Sequence, residues 1–213
     1  MFKEGMLDKT LRFIKKLIPI SVFNFLAPAY HTLLSYTGAV AYRFPSRSIK
    51  IIGVTGTKGK STTVYLITKL LEGAGKPVAM IGSLGYKIRD REWPNTLKMT
   101  MPGRLKLQKF LRQAVSAGCE YVVLEVTSEG IKQKRHLGIT FDCAVFTNLH
   151  REHLESHGSF ENYTQAKQQL FKRTSGIHVL NADDPHVTLF ADFPSQKKIT
   201  YGIQRGDLRA THV

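Results

Sequence analysis

The chain is 213 residues long, 42% hydrophobic and 22% charged, enough apolar material for a sizeable core and for one domain plus an extension. Its two cysteines, Cys119 and Cys143, exclude a disulfide scaffold and read as buried, reduced thiols of a cytoplasmic protein. The formal net charge of +15 fits anionic partners, but no aromatic-basic recognition module accompanies it, so nucleic acid is not an expected partner.

The N-terminal fifth is the first unusual region. No Asp, Glu, Lys or Arg occurs from Leu17 to Tyr42, while Lys9, Arg12, Lys15 and Lys16 precede the stretch and Arg43, Arg47 and Lys50 follow it. Its length is sufficient to span a bilayer. However, Pro19, Asn24, Pro28, His31 and Gly38 interrupt it, and no small-residue cleavage site follows a compact apolar core. Two readings stand. Residues 1–48 form one or two helices packed on the main domain, or an interfacial segment in peripheral contact with the cytoplasmic membrane face.

From Ile49 onward strands and helices alternate. Ile49–Thr55 is an apolar run ending in a Gly-rich turn. Lys60–Glu72 places Val64, Ile67 and Leu71 on one helical face and stops at Gly73 and Gly75. Pro77–Ile81 reads as a strand, Pro102–Ala117 as a helix, and Tyr121–Val126 and Cys143–Thr147 as strands covered on both faces. Ser159–Arg173 is a helix, His178–Asn181 a strand, Pro185–Phe190 a short helix and Ile199–Tyr201 a strand. This order predicts an α/β fold: a mainly parallel sheet with flanking helices, of the P-loop nucleotide-binding type, behind a short helical N-terminal extension.

Five segments carry candidate chemistry. Gly56-Thr57-Lys58-Gly59-Lys60-Ser61-Thr62 lies between the first strand and its helix, where backbone amides and the helix N-terminus can cradle a phosphate. Lys60 can reach the terminal phosphates and Ser61 can ligate Mg²⁺, although the generic template wants glycine where Val54 stands. Glu125 ends an apolar strand, as a Mg²⁺ ligand beside a triphosphate or as a solvated strand-end carboxylate. His150, His153 and His157 have helix-like spacing, as a zinc site or as titratable surface histidines. Lys167 shares a helix face with Phe160, Tyr163 and Phe171. There it is either a desolvated amine open to modification or a lysine whose head snorkels to water. Asn181-Ala182-Asp183-Asp184-Pro185 closes a strand and can contact a base or ribose, or simply start a helix.

Taken together, Val54 to Thr62, Glu125 to Ser128, Phe141 to His157, and Tyr163 to Phe171 resemble the Mur ligase family, in particular its tripeptide synthetases of peptidoglycan assembly. The resemblance runs from Ile51 to Tyr201 and implies an ATP- and Mg²⁺-dependent ligase joining an amino acid, diaminopimelate or lysine, to UDP-N-acetylmuramoyl-dipeptide through an acyl phosphate. It implies that Gly56 to Thr62 and Asn148 bind ATP, with Asn181 and Asp184 near the adenosine. Lys60 becomes the phosphate-binding lysine, Ser61 and Glu125 Mg²⁺ ligands, His153 a second-metal ligand and Lys167 the family's carbamylated lysine. Thr100, Thr127, Gln133 and Arg135 match positions that hold the muramoyl substrate. Met101, Glu129 and Glu152 depart from the family's usual threonine, histidine and aspartate.

The resemblance also implies a domain plan. Residues 49–213 form the central ATP-binding domain, incomplete at its C-terminal end. No counterpart of the family's uridine-binding domain occupies residues 1–48, and the C-terminal amino-acid-binding domain is absent, to be supplied by a continuation of the chain or by a separate subunit. Two other readings remain: a folylpolyglutamate-synthetase-like or lipid-linked-substrate Mur-like ligase, and a non-catalytic nucleotide-binding subunit of a split enzyme.

Overall fold

The computed structural model describes residues 20–97, 99–151 and 158–211. Helix α1 (Ile20–Ala41) is followed by a 3-10 turn at Pro45–Arg47 and strand β1 (Lys50–Thr55). Then come α2 (Lys60–Gly73), β2 (Val78–Ile81), the hairpin strands β3 (Tyr86–Ile88) and β4 (Arg91–Trp93), α3 (Arg104–Ser116) and β5 (Tyr121–Glu125). The rest is α4 (Ser128–Lys132), β6 (Cys143–Phe146), α5 (Phe160–Lys172), β7 (Ile177–Asn181), α6 (Thr188–Ala191), β8 (Lys197–Gly202) and β9 (Leu208–Arg209).

The strands form one sheet in the order β4-β3-β2-β5-β1-β6-β7-β8-β9. All neighbours run parallel except the β2-β3 and β3-β4 pairs. The expected α/β class with a mainly parallel sheet is what the chain adopts. The hairpin β3-β4, the short helix α4 and the edge strand β9 were not expected. Three-residue strands carrying Lys87, Arg91 and Glu92 have no apolar period to announce them.

β1 lies at the centre because it is apolar enough to be covered on both faces. Ile51 belongs to a core shared with Phe110 of α3, Leu170 and Phe171 of α5 and Phe190 of α6. Val54 packs on the other face with Val64 of α2, Met80 and Val145. Register places Val54 opposite Glu125 of β5 and opposite Val145 of β6, so the carboxyl ends of three strands finish level with one another.

α1 lies against α3. Gly38 lets Leu105 approach, the Ser35 hydroxyl donates to the Lys134 carbonyl at 2.7 Å, and the Arg112 guanidinium donates to the Tyr42 carbonyl at 2.7 Å. Among the described residues no helix is long and apolar enough to cross a membrane.

Candidate functional site

A cleft of about 830 Å³ opens over the carboxyl ends of the central strands, where an open α/β sheet holds its ligands. One wall is the loop after β1. Gly56 has φ +152°, and a Cβ there would sit 1.9 Å from the Thr147 hydroxyl, so only glycine lets the chain pass. Gly59, at φ +76°, is the left-handed residue that starts α2. Residues just past β6 hold the loop's shape. The Asn148 carbonyl accepts from the Thr57 amide at 2.8 Å, and its side-chain oxygen accepts from the Lys58 amide at 2.8 Å. The Thr147 hydroxyl donates to the Lys58 carbonyl at 2.8 Å. Lys60 folds back so that its ammonium donates to the Thr57 carbonyl at 2.8 Å. These bonds engage the Thr57 and Lys58 amides within the protein and fix the path of the loop that leads into the N-terminus of α2, where backbone amides can meet a phosphate.

The floor is an oxygen cluster. Glu125, 2% exposed, accepts from the Ser83 amide at 2.8 Å and lies 3.1 and 3.2 Å from the Ser61 hydroxyl. The Ser83 hydroxyl is 3.0 Å from Glu125 and 2.9 Å from the Thr100 hydroxyl. One carboxylate among hydroxyls suits a small hard cation that keeps waters and phosphate oxygens as its other ligands. Among the described residues no group of three or more His, Cys, Asp or Glu side chains could hold a metal. His153 lies outside the described residues, as do Glu152 and His157. His150 is exposed, and its amide donates to the Thr57 hydroxyl at 2.9 Å.

The third side comes from α5. Ser159 caps this helix by accepting from the Asn162 amide, and its inward face buries Tyr163, Lys167 and Phe171. Lys167 is 1% exposed, so its head does not reach water. Its ammonium donates to the Gly56 carbonyl at 2.5 Å and sits 4.4 Å above the Tyr163 ring. The Tyr163 hydroxyl in turn donates to the Thr57 hydroxyl at 3.1 Å. Two side chains of one helix thus grip two consecutive residues of the phosphate loop.

The opposite wall is built from Thr100, Met101, Thr127, Glu129, Gln133 and Arg135. Thr127 caps α4 by accepting from the Gly130 amide at 3.1 Å. Arg135 donates to the Met101 carbonyl and, at 2.7 Å, to the Gln133 side chain. Behind it the buried Arg104 donates to the Gln133 carbonyl. Burial depresses the Arg104 guanidinium to about 10, and the neighbouring Arg135 pushes the same way. Burial also lowers Arg135, opposed by Glu129. The Nε atoms of both arginines are buried without a hydrogen-bond partner. Two buried guanidiniums against the one carboxylate of Glu129 leave this wall net positive.

Most of the expected site residues meet here: Thr57 to Ser61, Glu125 and Lys167 on the loop side, Thr100, Thr127, Gln133 and Arg135 on the other. Thr62 is exposed on α2. Asn148 shapes the loop rather than the cleft wall. Asn181 donates to the Thr147 carbonyl at 2.7 Å, and the buried Asp184 carboxylate accepts from the Leu149 and His186 amides, both at 2.9 Å. These two residues buttress the strand ends next to the cleft. Three residues escaped the sequence reading: Ser83, Tyr163 as a loop anchor, and Arg104. Gly82-Ser83 at the end of β2 carried a faint signal, but its meaning depends on β2 lying beside β5.

A family model described as the Mur ligase middle domain matches residues 54–213. Over 203 residues the chain is 36% identical to a UDP-N-acetylmuramyl-tripeptide synthetase of Roseiflexus sp. (strain RS-1), an alignment covering 87% of this chain and 40% of that relative. It is 39% identical over 181 residues to the UDP-N-acetylmuramoyl-L-alanyl-D-glutamate--2,6-diaminopimelate ligase of Geobacillus thermodenitrificans (strain NG80-2), covering 81% of this chain and 37% of the relative. A solved UDP-N-acetylmuramoyl-L-alanyl-D-glutamate--2,6-diaminopimelate ligase superposes with a TM-score of 0.72 at 31% identity, over 83% of this chain and 38% of the other. MurF ligase from Thermotoga maritima in complex with ADP superposes at 0.60 with 23% identity, over 81% and 38% of the two chains, a likeness of fold alone. The chain therefore spans 40% or less of the length of these relatives.

Proposed function

The chain belongs to the Mur ligase family through its middle domain, and from that premise we propose that it is the nucleotide-binding part of an ATP-dependent ligase of peptidoglycan synthesis. Residues 49–213 form the central domain of that ligase. The reaction joins the amine of diaminopimelate or lysine to the free carboxylate of UDP-N-acetylmuramoyl-dipeptide.

One observation carries this reading. A phosphate loop with Lys60, Ser61 and Glu125 faces, across one cleft, an electropositive wall that contains Arg135. A triphosphate on the first wall and a carboxylate at the second bring donor and acceptor within one cavity. The substrate carboxylate oxygen attacks the γ-phosphorus, the bond to the β-γ bridging oxygen breaks, and ADP leaves with the electron pair. The amino-acid amine then attacks the acyl carbon of the acyl phosphate. Inorganic phosphate departs, and the amine loses its proton as the amide forms.

Each residue has a part. The loop amides and Lys60 bind the phosphates and stabilise the charge spread over the transferring group. Ser61 and Glu125 hold Mg²⁺, which neutralises phosphate charge when bound. Lys167, as its carbamate, adds an anionic oxygen group beside that site. Arg135 and Gln133 orient the muramoyl substrate.

The test is calorimetry of the 213-residue chain with ATP and Mg²⁺. Micromolar binding is expected, with affinity lowered about 100-fold in K60A as a charge-assisted contact to phosphate is lost. Unchanged ATP affinity in a folded K60A chain overturns the reading.

A further inference from the structure

α1 has two faces of different fate. Ser35, Gly38 and Ala39 are buried against α3 and the Lys134–Gly138 loop. The other side carries Tyr30, Leu33, Tyr36 and Val40 at helical spacing, 37%, 67%, 44% and 61% exposed. No charged residue interrupts it. An uncharged helix side bearing two aliphatic and two tyrosine side chains in water is an unfinished surface.

The charges around it have one sign. Neither α1 nor α3 contains an acidic residue, whereas α3 contributes Lys106, Lys109 and Arg112 besides the buried Arg104. Lys109, one turn on from the Leu105 that touches α1, is exposed. Arg43, Arg47 and Lys50 follow the helix and are all exposed. Over residues 1–50, eight Lys or Arg stand against two acids.

We propose that the outward side of α1 docks on an anionic lipid bilayer, with the helix lying in the plane of the headgroups. Ser35, Gly38 and Ala39 tie the C-terminal half of the helix to α3 and the Lys134–Gly138 loop, so α1 cannot insert end-on without leaving the domain. An interfacial helix buries its apolar side about 5–10 Å into the headgroup region, with flanking cations held by anionic lipid. Tyrosine suits that depth because its ring is apolar and its hydroxyl stays wet. A protein partner would have to match a cationic rim with acids of its own. A bilayer of acidic lipids supplies that charge everywhere.

The experiment is co-sedimentation of the full chain with vesicles of phosphatidylglycerol and phosphatidylcholine, compared with pure phosphatidylcholine. Partitioning about tenfold stronger on the anionic vesicles and weakened by salt is expected. L33Q/V40Q, which keeps the net charge, lowers it about tenfold. R43E/R47E lowers it more than K197E/K198E, which makes the same charge change on β8 near the other end of the sheet. In Y36W the added tryptophan shifts to the blue on anionic vesicles beyond any change of Trp93. These side chains are exposed, so the unfolding midpoints of the variants match the parent. Three results each overturn the proposal: equal binding of L33Q/V40Q and parent, binding that follows net charge wherever it is placed, or a dimer that L33Q/V40Q dissolves without any vesicle binding. The last would give the surface to a second copy of the chain.

Discussion

The two walls of the cleft are held in opposite ways. On the phosphate-loop wall, the backbone is fixed by bonds made within the wall: Asn148 with Thr57 and Lys58, Thr147 with Lys58, Tyr163 with Thr57, and the Lys60 and Lys167 ammoniums with the Thr57 and Gly56 carbonyls. That wall is complete before ligand binds. On the facing wall, Arg104 and Arg135 are buried together, bonded to carbonyl and amide oxygens, each with an unmatched Nε. Two guanidiniums against the single Glu129 carboxylate leave that wall with net positive charge. On the proposed ligase reading, the difference separates two uses of the same sheet edge: a fixed cradle for the transferring phosphoryl group, and positive charge for a substrate carboxylate.

The contrast can be broken by substitution. The largest effect is expected for R135A on the muramoyl substrate. Loss of a buried charged contact should cost about 2–3 kcal/mol, or roughly 30- to 150-fold in affinity. ATP affinity measured in the same titration series should stay within about twofold. If both ligands weaken together, the walls are not independent.

The second effect is a pH dependence. His136 follows Arg135 and is 2% exposed, and burial with the nearby Arg173 and Lys134 pushes it down to about 3. The folded chain keeps the ring neutral, whereas the unfolded chain protonates below about 6.5. Stability from this group is therefore full above pH 6.5 and is lost as pH falls toward 3, by about 2 kcal/mol at pH 5. Urea unfolding at pH 7 and pH 5 should show that loss, and H136Q should shrink it. His178, also depressed by burial, leaves a residual slope.

Smaller still is Y163F. It removes the hydroxyl that pins Thr57 and should lower stability by about 1 kcal/mol, with ATP affinity down a few-fold. The opposite sign sharpens the comparison. R104M removes one of two adjacent buried cations and should raise stability by about 1 kcal/mol, read as a higher unfolding midpoint. A lower midpoint would mean that the bond to the Gln133 carbonyl outweighs the burial of charge.

What the sequence disclosed follows the same division. The loop from Gly56 to Ser61 was legible because its glycines, lysine and serine lie within one turn of chain, at a strand-to-helix junction that periodicity marks. Lys167 was legible because Tyr163 and Phe171 sit one helical turn to either side. Arg104 was opaque: its neighbours Gln133 and Arg135 lie about thirty residues away, and nothing local marks it as buried. Ser83 was hidden for a like reason, since it meets Glu125 only because β2 is laid beside β5. The hairpin β3-β4 is set by the Tyr86–Trp93 stack, which follows no apolar period, and by Lys87 pairing with Glu72 on α2, which lies in a different element.

The position of β1 also has a consequence for the order in which the molecule is made. Its partners β5 and β6 begin about seventy and ninety residues further along the chain. At translation rates of about 5–20 residues per second, the strand carrying Ile51, Ile52 and Val54 emerges from the ribosome roughly 4 to 14 seconds before its first neighbour exists. During that interval both of its edges are open, and its apolar side chains have α2, β2 and α3 to shelter against but neither of its sheet partners. The nascent chain is then a client for holding chaperones, and its yield in cells should depend on them more steeply than the stability of the finished fold suggests.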